Sequence, residues 1–247
     1  MSKVAVVTGA ASGIGLGVAR SFAADGYRVA LTDRDGEGAE AGAAELRSEG
    51  ATALAVTIDV ADRATIETGF AQIRSDLGPV EVLVTSAGVE SFTPVLDITA
   101  EGWDRIITIN LTGTFACIQA ALPDMLSAGW GRIVTISSSS AQSGAPDMAH
   151  YAASKGGVIA LTKALAVELA RSGITVNTIP PSLVDTPMAR QAEAAGDFPG
   201  VDLVGSMVPL GRAGTPADIA AACSFLCSEG GSYITGQVIG VNGGMYI

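Results

Sequence analysis

Val4-Ala5-Val6-Val7-Thr8-Gly9-Ala10-Ala11-Ser12-Gly13-Ile14-Gly15 is the stretch on which the fold turns. Its first five residues form a short apolar, β-branched run without alternation, the mark of a strand buried on both faces. Glycines interrupt that run, and Leu16–Ala24 then follows a helical pattern. Glycines between a strand and a helix let the backbone turn tightly and approach a pyrophosphate held on the positive end of the helix. The spacing Gly9-x-x-x-Gly13-x-Gly15 departs from the strict G-x-G-x-x-G pattern. By itself it serves equally well as a tight turn between strand and helix.

The same alternation continues outward. Arg28–Leu31, Ala53–Ile58, Val82–Thr85, Ile133–Ser137, Thr175–Ile179 and Val238–Val241 read as further strands, with helical patterns such as Thr65–Asp76 between them. Repeated strand-helix-strand units predict an α/β fold, a parallel sheet with right-handed crossovers. No linker, repeat or low-complexity tract divides the chain, so residues 1–247 are expected to form one domain. The Gly- and Pro-rich stretch Pro180–Gly214 reads as a long irregular insertion, and about 187–210 as a lid over substrate.

Composition excludes several functions. Of 247 residues, 48% are apolar and 16% charged, enough to bury a full core and too few charges for disorder. Net charge is −11, which disfavours nucleic acid as a partner. No apolar run reaches the roughly 18–20 residues of a spanning helix, and none resembles a signal peptide, so a cytoplasmic protein without a membrane partner is expected. One histidine, His150, and three cysteines, Cys117, Cys223 and Cys227, make a metal site improbable. Cys223 and Cys227, four apart in an apolar helical stretch, read as small core residues. Trp103–Leu122 and Ala149–Ala170 are apolar nearly all round. A helix of that kind must be covered on every side. The uncovered side predicts a homo-oligomer, a tetramer in the fullest form.

Two sets of polar residues carry chemistry. Asp33 closes the second strand about twenty residues after the glycines, where a carboxylate can accept hydrogen bonds from adenosine ribose hydroxyls and repel a 2′-phosphate. That favours NAD over NADP, while Arg34 beside it can receive such a phosphate. Asp33 also serves as a turn residue before Gly36. Asp59-Val60 can hold an adenine edge, and Asp59 can equally cap a helix. Tyr151 and Lys155 are four apart and share one helix face. An ammonium near a phenol lowers its pKa toward the working range of a general acid or base. Ser138, at the end of the fifth strand, can hydrogen-bond a substrate oxygen. Taken singly, Tyr151 and Lys155 also fit a surface pair, and Ser138 a turn hydroxyl.

The ordered set Thr8-Gly-x-x-x-Gly-x-Gly15, Asp59-Val60, Asn110, Ser138, Tyr151-x-x-x-Lys155, Pro181, Thr186, Gly236-Gln237 and Gly243-Gly244 resembles the short-chain dehydrogenase/reductase family along nearly the whole chain. The resemblance implies a doubly wound Rossmann fold, a seven-stranded parallel sheet with helices on both faces. It implies Tyr151 as proton donor or acceptor, Lys155 tuning it and holding the nicotinamide ribose, and Ser138 positioning the reacting oxygen. It assigns Asn110 a water that links Lys155 to solvent, and Thr186 a contact with the nicotinamide carboxamide. It extends cofactor contacts to Gly9, Ser12, Gly13, Ile14, Gly15, Ala87, Gly88, Pro181 and Val184. Hydride passes directly between cofactor and substrate carbon.

Three positions depart from the family pattern. Thr85-Ser86-Ala87-Gly88 stands for Asn-Asn-Ala-Gly, Pro181-Ser182 for Pro-Gly, and Asn242-Gly243-Gly244 for Asp-Gly-Gly. The first is expected to keep its turn and lose amide hydrogen bonds, the second to restrict the backbone beside the nicotinamide.

For substrate, Met188, Phe198, Val201, Leu203, Met207 and Val208 of the lid, with Val89, Phe92, Ala141, Ala145 and Met148, suggest an apolar pocket, or a lid packed on itself. His150 points elsewhere on its helix, and Glu90 faces either pocket or solvent. These features favour an NAD-dependent dehydrogenase of hydrophobic ketones or secondary alcohols. A 3-oxoacyl thioester reductase using NADPH and a polyol or sugar dehydrogenase are the alternatives. An inactive nucleotide-binding subunit conflicts with the intact set Asn110, Ser138, Tyr151 and Lys155.

Overall fold

A computed structural model describes residues 2–247. In it β1 (Val4–Thr8) leads into α1 (Gly13–Ala24), β2 (Arg28–Asp33) into α2 (Gly36–Ser48) and β3 (Ala53–Thr57) into α3 (Arg63–Asp76). β4 (Val80–Thr85) leads into α4 (Ala100–Ile107), which runs through a π-helical turn (Thr108–Thr112) into α5 (Gly113–Ala128). β5 (Gly131–Ile136) precedes a short α6 (Ser140–Ser143) and the long α7 (Ala149–Leu169). β6 (Ile174–Ile179) precedes α8 (Pro187–Ala195), α9 (Val201–Met207) and α10 (Pro216–Cys227).

The strands pair in parallel in the order β3-β2-β1-β4-β5-β6. The chain thus winds outward from β1 to β3, then restarts on the other side of β1 with β4. The connections after β1 and β4 lead to helices on opposite faces of the sheet, and at this reversal the carboxyl ends of the strands open a crevice. Period-two alternation divides the core. Ala5 and Val7 pack with Phe22, Leu46, Ile219 and Leu226 on one face of the sheet. Val4 and Val6 pack with Ile66, Phe70, Ile118 and Met125 on the other. Phe22 and Phe70 are fully buried, and burial of such a side chain contributes about 1.5–3 kcal/mol. Cys223 and Cys227 belong to the first cluster and Cys117 to the second, all as free thiols. Burial pushes Cys117 and Cys227 up to about 12.

Three expectations are corrected. Val238–Val241 forms no continuous seventh strand: it runs beside β6 through isolated parallel bridges, Thr178 to Val238 and Pro181 to Val241. The Asn177 side chain takes the Gln237 N–H and donates to the Ile234 carbonyl, so side-chain bonds replace part of the ladder. The stretch Pro180–Gly214 is not irregular, since it contains α8 and α9. Thr186 caps α8 by accepting from Ala189 N at 3.2 Å, and Pro187 occupies the first turn, a start signal present in the sequence.

The third correction concerns length. The helical run Ala100–Ala128 spans 29 residues and is long and apolar enough to cross a membrane by length and composition. Its inner side, including Ile106, Cys117, Ile118 and Met125, is core of the domain. Its outer side exposes Trp103, Phe115 and Leu126, and α7 exposes Val167 at 84%. The apolar helix faces expected from sequence therefore remain uncovered in the single chain.

Candidate active site

A cleft of about 680 Å³ lies over the carboxyl ends of the central strands. Gly9, Ser12, Gly13, Ile14, Gly15, Asp33, Asp59, Val60, Ala87, Gly88, Ser138, Tyr151, Lys155, Pro181, Val184 and Thr186 all line it. Of the expected site residues only Asn110 lies behind the wall, fully buried.

The nucleotide end is built from backbone. Gly9 adopts φ +68°, and a Cβ there would fall 2.7 Å from the Ala87 Cα. The loop after β1 therefore approaches the loop after β4 as closely as glycine permits. A Cβ on Gly15 would sit 2.1 Å from the Gly9 carbonyl oxygen, so this glycine closes the turn against α1. Ser12 stands at the N-cap of α1 in extended geometry, and its side chain makes no cap hydrogen bond. It leaves the positive helix end open to an anion. Asp33 braces the loop: Oδ2 accepts from Ala11 N at 3.1 Å and Oδ1 from Asp35 N at 3.0 Å. Arg34 is exposed and lines the same cleft. Asp59 accepts from Ala61 N at 2.9 Å beside Val60. A dinucleotide fits this cradle, whose volume, open helix end and ribose-side carboxylate match its shape and charge.

The departures from the family pattern have local explanations. Thr8 Oγ1 accepts from both Ser86 N and Ala87 N at 3.1 Å, so the turn after β4 is held without asparagine side chains. The buried Thr85 Oγ1 has no hydrogen-bond partner among the described residues. Ser182 and Asn242 meet: Ser182 Oγ donates to the Asn242 carbonyl at 3.0 Å. Asn242 also secures the C-terminal loop, accepting from Gly244 N and donating to the Tyr246 carbonyl.

At the chemical end, the first turns of α7 place Tyr151 and Lys155 side by side under the loop after β5. Ser138 lies two residues beyond β5, and its hydroxyl pairs with Ser140 Oγ at 2.8 Å. The Lys155 ammonium is buried and donates to the Ile136 carbonyl at 2.9 Å, 5.8 Å from the Tyr151 ring centre. Behind them Asn110, in the π-helical turn, clamps Val89: Oδ1 accepts from Val89 N at 2.9 Å and Nδ2 donates to Val89 O at 3.0 Å. Nδ2 also reaches Ser154 Oγ. Gly88 fits between this clamp and Lys155, since a Cβ would lie 3.2 Å from Asn110 Oδ1 and 3.3 Å from Lys155 Nζ.

The expectation that Lys155 lowers the Tyr151 pKa is not met in this state. Burial pushes the Tyr151 phenol up to about 12, the Glu90 carboxylate adds to the rise, and Ser138 offsets part of it. Burial also brings Lys155 down to about 8, with Glu90 opposing. Desolvation penalises both charged forms, and it outweighs the pairing visible in the sequence.

The pocket is less apolar than the sequence suggested. Glu90, Arg105, Gln191 and Asp197 line it together with Val89, Phe92 and Met188. Ala141, Ala145 and Met148 are not part of the lining. Phe198 stacks on Phe92 at 6.5 Å, Val201 and Val208 are buried, and Leu203 and Met207 are exposed, so of the expected apolar lid residues only Met188 faces the cleft. Glu90 faces the cleft, and Gln191 and Asp197 escaped the sequence reading. Their positions, directly after the fourth strand and in the segment after the sixth, were the available signal. His150 is buried and is not part of the cleft lining, and burial lowers its pKa.

This fold and cleft define a dinucleotide-dependent oxidoreductase. Comparison with known proteins narrows the class: the family described as enoyl-(acyl carrier protein) reductase matches residues 9–246. The chain belongs to the short-chain dehydrogenase/reductase family. It is 40% identical over 248 residues to 3-oxoacyl-(acyl-carrier-protein) reductase FabG of Staphylococcus aureus, covering 100% of this chain and 99% of that one. It is 39% identical to D-threitol dehydrogenase of Mycolicibacterium smegmatis, covering 99% and 93%. Among solved structures, an actinorhodin polyketide ketoreductase with NADPH superposes with TM-score 0.94 at 39% identity, covering 99% of this chain and 97% of that one.

Proposed function

We propose that the chain reduces the 3-oxo group of an acyl thioester, with NADPH as cofactor. The observation that carries this reading is the end-to-end likeness to FabG joined to a cleft that holds Ser138, Tyr151 and Lys155 together. The polyketide ketoreductase solved with NADPH supports the same cofactor. This replaces, as first choice, the NAD-dependent reading of the sequence.

The cofactor, when bound, exchanges a hydride with the substrate carbon. The residues of the chain do the rest. Ser138 and Tyr151 hydrogen-bond the carbonyl oxygen and fix it over the carboxyl end of β5. Tyr151, kept protonated by its raised pKa, gives its proton to the oxygen as negative charge develops there. Lys155 then supports the phenolate and holds the ribose, while Asn110 keeps the Val89 loop and the first turns of α7 in register. Gly9, Gly13, Gly15, Ser12 and Ile14 carry the pyrophosphate. Asp33, Asp59 and Val60 hold the adenosine, and Ala87, Gly88, Pro181, Val184 and Thr186 the nicotinamide half.

A second reading has its own observation. Asp33 ends β2 and lines the cleft with a carboxylate that would repel a 2′-phosphate, which favours NAD and oxidation of a secondary alcohol or polyol. Arg34 is the group that would reconcile Asp33 with NADPH. We further propose one domain with residues 187–210 as lid, a cytoplasmic location, and a homotetramer that covers Phe115, Leu126 and Val167. A monomer by light scattering at micromolar concentration would refute the assembly.

Absorbance of the reduced nicotinamide distinguishes the two readings. NADPH and NADH are run against a 3-oxoacyl thioester and a hydrophobic ketone, and NAD and NADP against secondary alcohols and a polyol. Fastest turnover with NADPH and the thioester is expected. Turnover confined to NAD and alcohols would establish the second reading, and no turnover at all would overturn both.

A further inference from the structure

Among the described residues, Glu90 is the one carboxylate that both lines the cleft and bears electrostatically on Tyr151 and Lys155. It follows Val89, whose N–H and C=O are both held by Asn110, so its backbone is fixed. The side chain is half-buried, and its oxygens make no hydrogen bond or ion pair among the described residues. Its neighbours offset that burial only in part: the Lys155 ammonium, bonded to the Ile136 carbonyl, attracts the carboxylate without hydrogen-bonding it, while Asp197 in the loop after α8 repels it. A half-buried carboxylate without a partner carries a desolvation cost that a hydrogen-bond donor would remove. The space in front of it is the substrate cleft, flanked by Phe92 and Ser91.

We infer that Glu90 is a specificity-determining residue: its carboxylate accepts a hydrogen bond from an uncharged N–H or O–H group that the substrate carries beyond the reacting carbonyl. This rests on the proposed reductase activity and names what the same site selects. An amide N–H on the arm of a thioester and a hydroxyl on a ketone meet the requirement alike. A purely hydrocarbon ketone leaves Glu90 unpaired, and an anionic group at this point meets the repulsion of Glu90 and Asp197 together.

The test uses paired probes with the full chain. One pair is the N-acetylcysteamine thioester of acetoacetate and its S-ethyl thioester, which lacks the N–H. The other is a hydroxyketone and the ketone of equal length without the hydroxyl. The chain should favour the donor-bearing member of at least one pair about tenfold or more in kcat/KM, the range of a hydrogen bond to a charged group. Which pair shows it identifies the donor. Glu90→Ala should lower kcat/KM for the favoured probe about tenfold more than for its donor-free twin. Glu90→Gln, whose amide oxygen still accepts, should keep most of the preference. Equal rates within both pairs, or a preference that survives Glu90→Ala, would overturn the inference while leaving the reductase reading intact. Inactivity of the unmodified chain on all four probes would overturn both.

Discussion

At the nucleotide end of the cleft the side chains that brace the loops find partners within the chain, whereas at the chemical end burial disfavours the charged forms of the groups that move protons. Thr8 binds two backbone N–H groups, Asp33 two more and Asp59 another. Burial, by contrast, pushes Tyr151 up to about 12 and Lys155 down to about 8, and Glu90 makes no hydrogen bond or ion pair among the described residues. The first region is preorganised by backbone and short side chains. The second is completed by what binds there. Binding and chemistry should therefore be separable by mutation.

The largest separation is expected at Tyr151. Tyr151→Phe should reduce turnover by roughly 10²–10⁴-fold, the usual range for general acid-base catalysis. Dinucleotide affinity, read by fluorescence titration, should stay within a few-fold. If affinity falls as far as turnover, the two ends are not independent. Asp33→Ala tests the other end. The kcat/KM ratio for NADP over NAD cofactors should rise about tenfold, because the repelling carboxylate is gone and Arg34 remains. An unchanged ratio would mean that Asp33 serves only to brace Ala11 and Asp35.

Acidity sharpens the contrast further. The raised Tyr151 pKa keeps the proton donor intact, so carbonyl reduction should stay nearly level from neutral to moderately alkaline pH. Alcohol oxidation needs the phenolate and should climb over the same interval. Lys155 also leaves a stability signature. Between about pH 8 and its ordinary 10.5, the unfolded chain holds a proton at this position that the folded chain has shed. Its contribution to unfolding free energy therefore rises with pH across that window. Denaturant unfolding at several pH values should show a smaller rise for Lys155→Met than for the unmodified chain, and equal curves would contradict the burial argument. The smallest effect is expected at Ser182→Gly. Loss of its bond to Asn242 should cost about 0.5–1.5 kcal/mol and change cofactor KM little. A large KM change would make the C-terminal loop part of the nucleotide end.

The preorganised end was the more legible in sequence. Gly9, Gly13, Gly15 and Asp33 act through backbone conformation and strand position, which spacing encodes directly. Tyr151 and Lys155 were legible as a pair, since four residues on a helix fix their side. Their charge states were not, because burial is a property of the assembled fold. The side to which Glu90 points depends on Asn110, twenty residues away. The bond between Ser182 and Asn242 joins two departures sixty residues apart that no local pattern links. The seventh strand was misread because a β-branched run does not reveal that the Asn177 side chain would take over part of its pairing.

The three buried thiols have a consequence for how the protein opens. Thiolates, not thiols, react with alkylating reagents, and Cys117 and Cys227, held at about 12, stay silent while the core is closed. Their modification then clocks excursions of the native chain rather than surface chemistry. Because Cys117 lies on one side of the sheet and Cys223 and Cys227 on the other, the order in which they are labelled distinguishes a sheet that sheds its two helical layers together from one that loosens one layer first.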